Sequence, residues 1–353
     1  MRTHSEKLLS SMFSASSFSL RPQRHTSRFR FQKLLVIAMF AALSCAPVFA
    51  RLHHYNKVVV FGDSLSDAGN VTVLSSTDGC GYLFPAPYPF DYTYGSFTDG
   101  YDTAPGAESY SGAWIEQLAK DFPNKLTLTD SLEGGTDYAY GDAYTGNGTT
   151  MLTLPGLTGG SCSIQVANIG QQIKDYLQKN PTIDQHTLFV VWGGANNVLT
   201  ALLANNITTT TNDIFDAAYY ETLEIQSLIQ AGATQILIPN LPPLGLVPRL
   251  NGSTTTKLAG NTAAQLYNTD LAMGISILKD TYRRRHISFY QLDVYHLMQQ
   301  VVASPSRYSL TNVTTPAQGQ PVDPDTYLFW DDLHPTTRGH DILANAALQL
   351  LSK

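Results

Sequence analysis

The chain has 353 residues, 43% hydrophobic and only 14% charged, with a formal net charge of −6. Residues 51–353 hold 15 of the 22 basic and 27 of the 28 acidic side chains, so that part alone carries −12. This balance argues against nucleic acid as a partner and against electrostatic docking on anionic lipid.

In chain order, the first fifty residues stand apart. Arg28, Arg30 and Lys33 precede an apolar run, residues 34–45, followed by Pro47-Val48-Phe49-Ala50. That order reads as an N-terminal extension and signal peptide cut after Ala50, too short in its apolar part to span a membrane. A lipidated Cys45 is the rival reading, and Ala42 counts against it because such signals carry leucine there. Residues 51–353 then form one exported domain.

Strand-like apolar runs follow at 57–61, 187–192, 235–239 and 287–292, with a weaker one at 125–129. Helical patterns alternate with them at 112–121, 164–178, 213–231 and 261–285, and a last helix covers 336–351. Strands alternating with helices predict an α/β fold with a mainly parallel sheet covered on both faces. Ligands bind such sheets beyond the carboxyl ends of the strands. Two stretches break the alternation, 76–110 and 303–328. The first holds Tyr82, Phe84, Tyr88, Phe90, Tyr92, Tyr94 and Phe97, which either line a pocket for an acyl chain or sugar or simply pack the loop onto the domain.

Cys80 and Cys162 are the cysteines left after processing, and in an exported chain they read as a disulfide. Without a nearby histidine pair they do not make a zinc site, and no metal or cofactor is implied. Sequons occur at Asn70, Asn147, Asn206, Asn251 and Asn312.

The chemistry concentrates in a few segments. Val59-Val60-Phe61-Gly62-Asp63-Ser64-Leu65 runs a strand into a tight turn that lifts a serine hydroxyl off the sheet edge. Phe329-Trp330-Asp331-Asp332-Leu333-His334 supplies a carboxylate and an imidazole three residues apart, so that nucleophile, base and orienting acid are all present. Asp331 is preferred over Asp332 as the orienting acid on that spacing. Ester hydrolysis also needs donors for the developing oxyanion. The N–H of Ser64, the N–H of Gly141 and the side-chain amide of Asn196 are suitable. Asp67 and Asn70 read as capping or loop support, and His286, His296 and His340 as structural.

With Ser64 in Gly-Asp-Ser-Leu, Gly141, Asn196 in Gly-Ala-Asn-Asn and His334 in Asp-Asp-Leu-His, the sequence resembles the GDSL, or SGNH, family of serine esterases and lipases. The likeness covers about residues 55–351. It implies a flavodoxin-like three-layer α/β/α fold, a Ser64–His334–Asp331 triad, and an oxyanion hole of Ser64, Gly141 and Asn196. One departure is Asn197, where the family pattern has Asp, so the hydrogen bonding of that turn is expected to differ. The expected activity is hydrolysis of small-molecule or lipid carboxylic esters through an acyl-enzyme, in the manner of secreted lysophospholipases, phospholipases A and acyltransferases, with transient contact to a lipid surface. A carbohydrate acetylesterase is the alternative, and a non-catalytic binding module on the same scaffold is the remote one.

Overall fold

The computed structural model describes residues 54–77, 80–99, 111–157, 160–203 and 207–353. The segment read as a signal peptide, Cys45 and the sequon at Asn206 lie outside them. The described strands are β1 (Lys57–Gly62), β2 (Thr149–Pro155), β3 (Ser161–Ala167), β4 (Thr187–Trp192), β5 (Gln235–Pro239), β6 (Ser288–Leu292), β7 (Asn312–Pro316) and β8 (Tyr327–Phe329). The main helices are α1 (Asn70–Thr77), α2 (Trp114–Asp121), α3 (Ile169–Lys179), α4 (Ala195–Leu203), α5 (Ile207–Ala231), α6 (Thr254–Thr281), α7 (Val294–Ala303) and α8 (Thr337–Leu351).

A four-stranded parallel sheet of order β1-β4-β5-β6 forms the centre. Its strands are unbroken apolar runs because both faces are covered, and the two-residue period divides them between two cores. Val59, Phe61, Phe189, Val191, Ile236 and Ile238 pack under α3, α5 and α6 on one face. Val58, Val60, Leu188, Val190, Trp192 and Leu237 pack under α2, α7 and α8 on the other. The result is the three-layer α/β/α arrangement expected from the alternation of elements. Each fully buried Val or Phe contributes roughly 1.5–3 kcal/mol to holding the layers together.

The weak strand expected at 125–129 does not form. Lys125 takes a left-handed backbone (φ 47°) and closes a turn by donating its N–H to the Phe122 carbonyl at 2.8 Å. The neighbour of β1 comes instead from the segment around Asp137. There Val60 N–H donates to Thr136 O (3.0 Å), and Tyr138 N–H donates to Val60 O (2.8 Å). That short parallel bridge occupies the outer side of β1, giving the spatial order 2-1-3-4-5 of flavodoxin-like sheets.

The helix expected over 164–178 begins only at Ile169. Residues 161–167 are strand β3, paired antiparallel with β2, because Ile164 and Val166 alternate inward while their neighbours face solvent. This hairpin, α1 and the aromatic loop share a third apolar cluster that includes Val71, Phe84, Phe97, Tyr140 and Leu154. Cys80 and Cys162 are disulfide-bonded, with Cα atoms 5.6 Å apart, and so tie the aromatic loop to β3. The helix expected over 261–285 covers Thr254–Thr281 instead. Ser253 caps its start by accepting from Thr256 N–H at 3.1 Å. Arg283, Arg284 and Arg285 therefore follow the helix rather than end it. Helices α4 and α7 and strands β2, β7 and β8 had no counterpart among the predicted elements.

Among the described residues, no helix is long and apolar enough to cross a membrane.

Candidate active site

Ser64 sits at the carboxyl end of β1, half-buried, where the sheet topology puts ligands. Gln172 on α3 clamps the strand end by exchanging two 2.9 Å hydrogen bonds with the backbone of Gly62. Asp63 then closes the turn. Its carboxylate accepts Leu65 N–H (3.0 Å), and its carbonyl accepts Ser66 and Asp67 N–H (3.0 and 3.1 Å). Burial pushes the Asp63 carboxyl up to about 6. The Ser64 N–H is left without a protein acceptor among the described residues.

The segment after β8 carries the partners. Trp330 N–H donates to the His334 carbonyl at 2.8 Å and closes the turn. Ser64 Oγ and His334 Nε2 lie 2.8 Å apart, and His334 Nδ1 lies 2.7 Å from Asp331 Oδ2. Asp331 Oδ1 accepts the N–H groups of Leu333 and His334 at 2.8 and 2.7 Å, and Tyr92 OH donates to Oδ2 at 2.8 Å. Burial works against the ionised Asp331, but the His334 charge and hydrogen bonds, with the Leu333 N–H, outweigh it and hold the carboxyl well below its usual range. Burial also opposes protonation of His334; the Asp331 carboxylate, with Asp63, overcomes this and raises the imidazole above 6.5.

Asp332 is used elsewhere. Its two carboxylate oxygens take a bidentate pair from Arg249, both bonds 2.9 Å, at the exposed rim. His340 is a buried packing residue whose Nδ1 accepts Trp114 N–H at 3.1 Å. Burial, with the nearby His334, drops its pKa to about 3, so this ring stays neutral. His296 is exposed and paired with Asp293, and His286 lies in a left-handed turn far along the chain.

Asn196 comes off the end of β4 at the start of α4. Its Nδ2 donates to Ala143 O at 3.1 Å, which joins it to the loop after the Asp137 bridge and leaves a second amide hydrogen. The turn before it is tightly held. A Cβ on Gly194 (φ 89°) would fall 2.3 Å from the Tyr267 ring, and the Tyr267 hydroxyl is bound to buried Glu221. Asn197 Oδ1 accepts Thr145 N–H at 3.0 Å, which is how the turn is completed where the family pattern has Asp.

Gly141 does not occupy the place expected of it. Its N–H donates to Asp67 Oδ2 at 2.9 Å, inside the protein. Asp67 also accepts the N–H groups of Gly69 and Asn70 (both 2.9 Å), so its supporting role is as expected and reaches further than a cap. Sequence alone gives no sign of this bond, which links residues 74 apart.

Two cavities meet at Ser64, Asn196, Leu333 and His334. One runs inward between the sheet and its covering helices, and Leu199, Leu244, Leu246, Val247, Met298 and Leu343 are among its lining. The other opens outward and is polar, with Asp142, Arg249, Gln318 and Asp332 beside Tyr92 and Phe97. Phe84 and Phe97 are largely buried, and the Phe97 ring lies 5.2 Å from the His334 ring. The aromatic loop therefore packs the domain and shapes the cleft at once. Tyr94 is exposed, and the Tyr88 side chain lies outside the described residues. Among the described residues no cluster of His, Cys, Asp and Glu is arranged to hold a metal ion.

The sequence is similar to those of several known proteins. GDSL esterase/lipase EXL2 of Arabidopsis thaliana is 25% identical over 332 residues, covering 81% of this chain and 86% of that protein. The anther-specific proline-rich protein APG of Arabidopsis thaliana is 26% identical over 342 residues, and Lipase 1 of Photorhabdus luminescens 25% over 385. These two matches cover 84% and 88% of this chain but only 62% and 52% of the relatives' own lengths. Among solved structures, LAE5, an alpha/beta hydrolase enzyme from the metagenome of Lake Arreo, is 14% identical with a TM-score of 0.43, covering 86% of this chain and 97% of its own. The family described as GDSL-like Lipase/Acylhydrolase matches residues 58–347. The chain belongs to this family of carboxylic ester hydrolases.

Proposed function

We propose that Ser64 is the nucleophile, His334 the general base and Asp331 the group that orients it, and that the preferred substrate is a lipid ester with a single acyl chain, such as a lysophospholipid. The observation that carries the lipid reading is the apolar cavity ending at the Ser64 hydroxyl. An acetyl group would leave most of that apolar lining unused. A longer acyl chain would extend along it, gaining about 0.8 kcal/mol for each methylene buried there.

The steps follow from the distances. Asp331 takes the Nδ1–H of His334 and so leaves the Nε2 lone pair facing the Ser64 hydroxyl. As Ser64 Oγ attacks the ester carbonyl, its proton passes to Nε2, and the carbonyl oxygen becomes an oxyanion. Collapse breaks the bond to the alcohol, which leaves with the proton from His334. Water, deprotonated by His334 in turn, attacks the acyl-Ser64 ester; collapse breaks the acyl bond to Ser64 Oγ, which takes the proton back from His334, and the carboxylic acid leaves. The polar cavity then receives the alcohol side of the substrate and, later, the water.

Residues 1–50 act in this reading as an export signal, and residues 51–353 as the exported enzyme. The Cys80–Cys162 bond supports it, since such bonds persist in oxidising compartments.

The test is a matched pair of substrates, lysophosphatidylcholine and an acetylated xylo-oligosaccharide, with Ser64→Ala as control. Fatty acid release that Ser64→Ala abolishes supports the proposal. Acetate release alone would make the protein a carbohydrate acetylesterase, and activity surviving in Ser64→Ala would remove Ser64 as nucleophile.

A further inference from the structure

The oxyanion needs a backbone donor besides Ser64, and the position of Gly141 makes it a poor one. Gly141 is buried, and its N–H is one of four backbone donors gathered by the wholly buried Asp67 carboxylate, with Gly69, Asn70 and Val71. Turning that N–H toward substrate would strip a donor from a carboxylate that is closed off from bulk solvent. Gly141 does not line either cavity at Ser64. A different constraint explains its lack of a side chain. A Cβ there would fall 2.5 Å from Phe97 Cζ, and the Phe97 ring is the one packed on the His334 imidazole.

The next residue has the opposite properties. Asp142 lines the outward cavity with Ser64, Asn196 and His334. Its backbone is left-handed (φ 62°), an uncommon conformation outside glycine that redirects the peptide at this point. Its N–H has no protein acceptor among the described residues. The following residue, Ala143, is the one whose carbonyl holds Asn196 Nδ2 at 3.1 Å, so the Asp142 peptide and the Asn196 amide are brought to the same place.

We propose that the oxyanion is received by the N–H of Ser64, the N–H of Asp142 and Nδ2 of Asn196, while Gly141 serves as the spacer that lets Phe97 support His334. Asp67 is then a positioning residue: by holding the Gly141 peptide it fixes which way the Asp142 peptide faces. This rests on the serine-hydrolase reading above.

The experiment is to treat the protein with a 4-nitrophenyl alkylphosphonate. Ser64 Oγ forms a bond to phosphorus, the bond to 4-nitrophenolate breaks, and the serine proton passes to His334; the phosphoryl oxygen then occupies the oxyanion's place. In a crystal structure of the adduct that oxygen is expected within about 3.2 Å of Ser64 N, Asp142 N and Asn196 Nδ2, with Gly141 N still on Asp67. An oxygen bound by Gly141 N, with the bond to Asp67 broken, would overturn the assignment. Nuclear magnetic resonance on samples labelled with 15N at Asp or at Gly gives the same answer in solution. The Asp142 amide proton should move downfield on phosphonylation while that of Gly141 holds its place, and the reverse overturns the assignment. Failure to release 4-nitrophenolate would instead overturn the hydrolase reading, and this inference with it.

Discussion

Replacing Asp331 by Asn tests the relay most directly, because the change keeps shape and removes one property. In the native site Oδ2 takes the His334 Nδ1–H at 2.7 Å, while Oδ1 takes two backbone N–H groups. An Asn keeps an oxygen for those backbone donors, so its NH2 falls where Oδ2 was and donates toward Nδ1. His334 must then carry its proton on Nε2, facing Ser64, and cannot accept another. Loss of the base in this way is worth on the order of 10⁴ in kcat, or about 5.4 kcal/mol of transition-state stabilisation. The pH profile should move as well. His334 is held above 6.5 mainly by Asp331, and as a base it must be neutral, so the acid limb of kcat/KM for the native protein lies above pH 6.5. Asp331→Asn removes the carboxylate that raises it, and the limb of the residual activity shifts to lower pH. The assay is steady-state hydrolysis of 4-nitrophenyl octanoate across pH, with active-site titration and far-UV circular dichroism to confirm folded protein. Asp332→Asn is the comparison, expected to cost less than about tenfold because its partner is Arg249 at the exposed rim. A loss below tenfold for Asp331→Asn, or an unmoved acid limb, would refute the reasoning.

Other outcomes follow from the same site. Asn196→Ala removes one oxyanion donor and should lower kcat by about 10²–10³ with little change in KM, measured on the same ester. Met298→Trp fills part of the apolar cavity; excluding about two methylenes at 0.8 kcal/mol each lowers kcat/KM for long-chain esters by roughly 15-fold while sparing acetate esters. Equal losses across chain lengths would show that the cavity does not hold the acyl chain. Reducing the Cys80–Cys162 bond, which closes a sequence separation of 82 residues, should cost roughly 4 kcal/mol of stability in urea unfolding monitored with and without reductant.

The strand ends were legible because their chemistry is local. Val58–Phe61 and 187–192 could only be buried strands, and the turns that follow them carry Ser64 and Asn196 in adjoining sequence. The Asp331–His334 pair was legible for the same reason, since three residues set its geometry. The hairpin was not. Residues 161–167 run into α3 with only Asn168 between, so their alternation is lost in the helical pattern that follows, and what makes them a strand is the distant β2. The pairing of β1 was misplaced by about ten residues because Lys125 was read as strand when it turns. The apolar cavity was invisible, being assembled from the turn after β1, the end of β4, α4, the segment after β5, α7, β8 and the segment after it, and α8. The direction of a single N–H at Gly141 depends on a carboxylate 74 residues earlier, which no spacing rule conveys.

Asn70 carries a further consequence. It lies in a glycosylation sequon, yet in the folded protein it is fully buried at the start of α1. Its Nδ2 donates both hydrogens, to Asp137 O at 2.8 Å and Ala139 O at 2.9 Å, and its Oδ1 accepts from Ser131. A glycan would take the place of one of those hydrogens inside the core, so the modification and the fold are mutually exclusive. In a host that attaches glycans to the emerging chain, folding and modification of this residue race each other during synthesis, and every chain that loses the race is a dead end. Production in a secretory eukaryotic host should therefore yield a misfolded glycosylated fraction that shrinks with faster folding. Removing the sequon at Thr72, by Thr72→Val, would end that race while leaving Asn70 to hold the loops around Ser64 together.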